Sequence, residues 1–139
     1  MIRVVFDTNI FVSALNYGGS PRALFLAACA GEFPLYSSTV LETELLEVLE
    51  ERFDWEPSRL LEVQRRLSLI WTLVEPSTTL TDCSDPDDNR VLECAIESGA
   101  SHIVTGDRAL LALDPFRGVR IVSPASFLTE HPWDLAEPD

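Results

Sequence analysis

Residues 85–107 read DPDDNRVLECAIESGASHIVTGD, and their reading decides the fold. Aspartate before proline starts a helix: Asp85 is a favoured N-cap, and Pro86 suits a first helical position that needs no N–H partner. The spacing predicts a helix that stops at Gly99. His102-Ile103-Val104-Thr105 is then a short strand, and Gly106-Asp107 turns the chain out of it. A helix that delivers the chain into a short apolar strand is half of a parallel α/β repeat.

The same alternation extends in both directions. Ile2–Phe6 is an apolar run of strand length closed by Asp7-Thr8-Asn9, and Ile10, Phe11, Ala14 and Leu15 follow at helical spacing. Gly18-Gly19 breaks the chain, and Ser20 is read as the cap of a second helix with Pro21 at its first position. Leu35–Ser37 is a strand, and Thr39 with Glu42 matches a capping box that opens a helix to about Arg52. Pro57 starts another helix, along which Leu60, Leu61, Gln64, Leu67 and Trp71 recur, and Leu73–Glu75 is a strand. Residues 78–84 form a polar loop. After Asp107 come a short helix over Arg108–Leu113, a strand over Val119–Val122 and a helical turn over Pro124–Thr129. The predicted class is α/β, a three-layer α/β/α domain with a central, mostly parallel sheet over residues 1–129, and an acidic C-terminal tail over 130–139.

Composition bounds the rest. No apolar stretch approaches the roughly 20 residues of a membrane span, so no membrane association is expected and a cytoplasmic location is the default. Cys29, Cys83 and Cys94 lack metal-ligand spacing and read as reduced thiols, Cys29 and Cys94 packed in the core. His102 and His131 stand far apart with no cysteine at zinc spacing, so no zinc site is expected.

Function is carried by acids. In parallel α/β sheets the ligand crevice lies beyond the C-terminal strand ends. Asp7 and Asp107 fall at such ends, and Glu44 and Asp88 in the first turns of helices that start there. Each acid has a plainer reading as well. Asp7 would cap the helix after it, and Asp107 would serve a Gly-Asp turn. Helical phase sorts the others. Glu44 lies about 40° from Val48, at the edge of the core stripe, whereas Glu47 lies about 100° away and Glu50 points outward. Asp88 falls between Val91 and Leu92, above Ala95, on the buried face, while Asp87 is about 100° off it. Asp85 reads as the cap, reaching a metal only through water, and Asn89 lies on the exposed side. Asn9 and Thr105 are candidates to orient the carboxylates by hydrogen bonds. Carboxylates gathered at one edge repel unless a cation joins them, and an all-oxygen donor set suits Mg²⁺ or Mn²⁺, as one or two ions. That chemistry points to a phosphodiester-cleaving enzyme.

The segments VVFDTNIFVSAL (Val4–Leu15), LETELLEVL (Leu41–Leu49), Asp85–Asp107 and IVSPASFL (Ile121–Leu128) together resemble the PIN-domain ribonucleases, above all the toxin components of bacterial toxin–antitoxin systems. The resemblance implies a parallel sheet between helices and a divalent-metal-dependent nuclease for single-stranded RNA, leaving 5′-phosphate and 3′-hydroxyl ends. It places the family's acidic quartet on Asp7, Glu44, Asp88 and Asp107, with Asp107 the least uniform member. An antitoxin protein is the implied partner, and a homodimer is compatible with it.

The net charge of −13, from 23 acids against ten arginines and no lysine, runs against phosphate binding. Arg22, Arg90 and Arg108 are the candidate phosphate contacts, by nearness to the motifs. The absence of lysine also disfavours the dehalogenase-like phosphatases and receiver domains, which share a strand-end aspartate but need one. The remaining alternative is a PIN-like RNA- or protein-binding module with weak or silent nuclease activity.

Overall fold

A computed structural model describes residues 1–131. The elements are β1 (Val4–Phe6), α1 (Thr8–Asn16), α2 (Gly19–Cys29), β2 (Leu35–Ser38), α3 (Thr39–Phe53), α4 (Pro57–Leu67), β3 (Trp71–Val74), α5 (Pro86–Ser98), β4 (His102–Val104), α6 (Arg108–Leu111), β5 (Arg120–Val122) and α7 (Pro124–Glu130). The strands form one five-stranded sheet in the order β3-β2-β1-β4-β5. Every pairing is parallel, so the sheet expected to be mostly parallel is wholly so.

Strand alternation divides the core in two. Val4, Phe6, Val104 and Val122 pack with α1, α2, α3, α4 and α7. Val5, Ile103 and Ile121 pack with α5 and α6 on the other face. These are the three layers. The strand order reverses at β1, and the ends of β1 and β4 flank the crevice.

Several local expectations change. α2 is capped at Gly18, whose φ of +124° favours glycine, and Ser20 lies inside the helix. Pro21 is then its third residue, which loses no bond because the first four N–H groups have no intrahelical partner. α3 follows β2 without a loop, so the last strand residue is its cap: the Leu41 N–H donates to the Ser38 hydroxyl at 3.3 Å. Thr39 instead donates its hydroxyl to Glu75, and Glu42 is displaced from the capping box. Trp71, expected on α4, opens β3. Leu61, expected on the core stripe of α4, is exposed; the buried pair there is Val63 and Leu67. Cys94 is buried as expected, but Cys29, the last residue of α2, is exposed.

At the N-terminal edge of the sheet, His102 begins β4 and packs against Phe127 and His131, with ring centroids 5.1 and 5.2 Å away. Burial first, and the neighbouring His131 second, hold the His102 pKa below the ordinary imidazole value. Of the expected tail, Glu130 ends α7 and His131 follows it; residues 132–139 lie outside the described residues.

Candidate functional site

Asp7 leaves β1 at the centre of the sheet and is 7% exposed. It occupies the N-cap position of α1 but makes no side-chain capping bond. Its Oδ2 accepts instead from the Thr105 hydroxyl at 2.8 Å. The same Thr105 oxygen accepts from the Asp107 N–H at 3.0 Å. Thr105, wholly buried at the end of β4, thereby couples two of the acids across the crevice. The Asn9 side chain is exposed and holds none of the acids by a resolved bond; the backbone N–H groups of Thr8 and Asn9 favour a charged Asp7.

Asp88 reaches the crevice from the first turn of α5 and is 6% exposed. Asp85, ahead of it, is spent as the cap, accepting from the Asp87 N–H at 2.9 Å. Asp107 is half-buried and does double duty, its Oδ1 accepting from Ala109 N–H at 2.7 Å as the cap of α6. Glu44 approaches from α3 on the other side of Asp7, half-buried, with Thr8 beneath it. The Thr8 hydroxyl is buried and has no partner of full hydrogen-bond geometry, yet it favours the charged form of Glu44.

The electrostatics follow from this crowding. Burial is the largest cause in each case. The Asp7 carboxyl is raised by burial and by Asp107, against the opposing Thr105 bond. Asp88 is pushed up to about 6 by burial, then by Asp107, Asp85 and Asp7, and by a hydrogen bond with Asp107 that requires a proton between them. Glu44 is pushed up to about 7 by burial, then by Asp87 and Asp7. Even so, the acids are not drawn tightly together. Among the described residues, the one group of three histidine, cysteine or acidic side chains with ligand atoms within 4.8 Å of one another lies elsewhere, at His102, Glu130 and His131. An ion such as Mg²⁺, which keeps several of its waters and so reaches some carboxylates through them, fits so open a set. Beside the quartet, an open groove of about 360 Å³ is lined by Thr39, Val40, Thr43, Glu44, Glu47 and Asp87.

Two of the three candidate arginines are already engaged. Arg22 donates through Nε to the Ala14 carbonyl at 2.9 Å, at the far end of α1 from Asp7. Arg90 is tied to Glu93, with Nε 2.7 Å from Oε1 and Nη2 donating to Oε2 at 2.8 Å. Arg108 is exposed, directly after Asp107, with no ion pair resolved among the described residues.

The wheel reading of Asn89 fails. Asn89 is buried, donating to the Cys83 carbonyl and accepting from the Cys83 N–H, both at 2.8 Å. Glu93, also buried, accepts from the Leu80 N–H. The loop over 78–84 folds onto the face of α5 that periodicity assigns to solvent. Burial there raises the Cys83 thiol pKa, and the nearby Asp88, Asp82, Asp107 and Asp85 raise it further. No periodic signal marks Thr8, Asn89 or Glu93, because their partners are loop backbone and a neighbouring helix.

A parallel α/β domain with acidic side chains beside its topological switch point places its candidate site where such folds bind their ligands. This chain belongs to the PIN-domain family, whose model matches residues 3–109, and PIN domains are in general nucleases. An uncharacterized protein of Methanocaldococcus jannaschii is 32% identical over 117 residues, covering 81% of this chain and 75% of that protein. Among solved structures, VapBC2 from Rickettsia felis, bound to a DNA fragment from its promoter, matches with a TM-score of 0.57 at 16% identity, over 88% of this chain and 98% of the other. That likeness bears on the fold. Among the described residues no helix is long and apolar enough to cross a membrane.

Proposed function

We propose that this protein is a divalent-metal-dependent endoribonuclease that cleaves single-stranded RNA, and the toxin of a toxin–antitoxin pair. The observation that carries the reading is the convergence of Asp7, Glu44, Asp88 and Asp107 from four separate segments onto one crevice, with three of them raised in pKa. A protein with no use for a cation there would be more stable without the repulsion. The donors are all oxygen, which fits Mg²⁺ or Mn²⁺ held by Asp7, Asp88, Asp107 and Glu44. The chemistry such an ion supplies when bound is a coordinated water of lowered pKa and positive charge beside the phosphate.

The chain's own residues do the rest. Thr105 fixes the Asp7 carboxylate through Oδ2 and the turn to Asp107 through its backbone N–H. Asp85 stays on the backbone and adds negative charge toward Asp88 and Glu44. Arg108, at the crevice rim, is the cation left to meet a phosphate. The similarity to a VapBC structure supports an antitoxin partner, which would supply the basic groups that this acidic surface lacks.

The test is cleavage of a labelled single-stranded RNA with Mg²⁺ or Mn²⁺, comparing wild type with Asp7→Asn and Asp88→Asn. Each substitution is expected to lower the rate on the order of 100-fold or more. Wild-type rates in both variants, or undiminished cleavage in excess EDTA, would overturn the assignment. Metal binding without cleavage would favour the binding-module alternative.

A further inference from the structure

We propose that His102, Glu130 and His131 form a second metal site, one that takes Zn²⁺ or a similar transition-metal ion, at the opposite edge of the sheet from the carboxylates. The chain's two histidines are 29 positions apart in sequence, and folding brings their rings to 5.2 Å. One ligand atom from each, with a Glu130 oxygen, lies within 4.8 Å of the other two. Two imidazoles and a carboxylate are a donor set for borderline metals, with a fourth position left to water. His102 begins β4 and Asp107 follows its end, so the length of that strand, about 10 Å, separates this cluster from the acidic crevice. The two sites differ in chemistry: oxygen alone at one, nitrogen with oxygen at the other.

His102 is set up as a ligand. Its Nδ1 lies 2.8 Å from the Ser101 hydroxyl, which leaves Nε2 for the metal. The Ser101 hydroxyl hydrogen has its own acceptor in the Arg3 carbonyl at 3.1 Å, so the oxygen is able to accept from Nδ1–H. A hydrogen-bonded partner on the second ring nitrogen is the usual support of a metal-binding histidine. Ligand atoms of a tetrahedral zinc site sit about 3.4 Å apart, so the group closes by at most about 1.4 Å. His102 is held by the sheet; Glu130 and His131, at the end of α7, supply the movement. The Arg120 guanidinium stands 3.8 Å from Glu130 but is shared with Asp114 at 3.1 Å, so it does not hold Glu130 alone. Bound metal would clamp the end of α7 to the start of β4. The competing account is ring packing alone, since the His102, His131 and Phe127 rings meet tilted or edge-on with centroids 4.9 to 5.2 Å apart.

The test is Zn²⁺ titration of the full, untagged chain in saturating Mg²⁺, with Co²⁺ absorption as the report on ligand type. Wild type is expected to bind one equivalent and to melt higher with Zn²⁺. His131→Ala and Glu130→Gln should each weaken binding at least tenfold and lose the shift, while Asp88→Asn binds as wild type does. His131→Ala also removes ring contacts to His102 and Phe127, so the zinc-dependent shift of each variant is read against its own zinc-free melting temperature. Unchanged zinc affinity in both variants, a Co²⁺ spectrum showing thiolate ligation, or loss of binding in Asp88→Asn would each overturn the proposal.

Discussion

Replacing Asp88 by asparagine should make the metal-free protein more stable, although it removes a residue of the proposed site. Asp88 is almost fully buried, and its carboxyl is pushed from 3.8 up to about 6. A carboxyl whose pKa is higher folded than unfolded keeps its proton longer in the folded state. As pH rises through the window between those two values, the unfolded chain ionises first and folded stability falls. Each unit of difference is worth about 1.4 kcal/mol, so the full penalty, present above about pH 6, is on the order of 3 kcal/mol. Asparagine carries no charge and keeps a donor for Asp107. At this chain length, 3 kcal/mol corresponds to roughly 10 °C in melting temperature. The assay is thermal unfolding in EDTA from pH 4 to 8. The variant should melt roughly 5–10 °C above wild type at pH 8, and the curves should converge near pH 4. Mn²⁺ should then raise wild type much more than the variant. A variant that melts at or below wild type at pH 8, or a difference that does not shrink toward pH 4, would refute the account of stored repulsion.

Thr105→Val removes the hydroxyl that holds Asp7 and should weaken Mn²⁺ binding by about 10- to 100-fold in calorimetry, with Thr105→Ser restoring most of it. Arg108→Ala should weaken binding of single-stranded RNA and make its log–log salt slope shallower by about 0.7, one lost phosphate contact. Arg22→Ala should leave that slope unchanged, because its guanidinium is committed to the Ala14 carbonyl.

The layers and strand sequence were legible because each element carries its own local signal. Val4-Val5-Phe6, a short apolar run closed by Asp7, reads as a buried strand, and Asp85-Pro86 to Gly99 carries both ends of a helix. The acids that converge were legible where helical phase separates neighbours, as it does for Asp88 against the exposed Asp87. Reading failed where the deciding partner is distant. Thr39 looked like a cap until β3 placed Glu75 beside it. Asn89 looked exposed because nothing local reveals that the loop after β3 covers it. His102 and His131 looked unrelated because α7 folds back to the start of β4, a return that no spacing rule encodes. Arg90 is a different case, because its partner is local: Glu93, one turn further along the same helix, holds it.

The hydrogen bond from Thr105 to Asp7 joins residues 98 apart in the chain, and β1 has β4 as one of its two neighbours. A ribosome making this protein therefore releases Asp7 well before Asp107, which lies far downstream in the chain. Until then β1 lacks its second neighbour, and the acids that complete the crevice do not yet exist. Contacts this distant also form late in folding. On the function proposed above, the nascent chain has no complete crevice with which to cut the message from which it is being read.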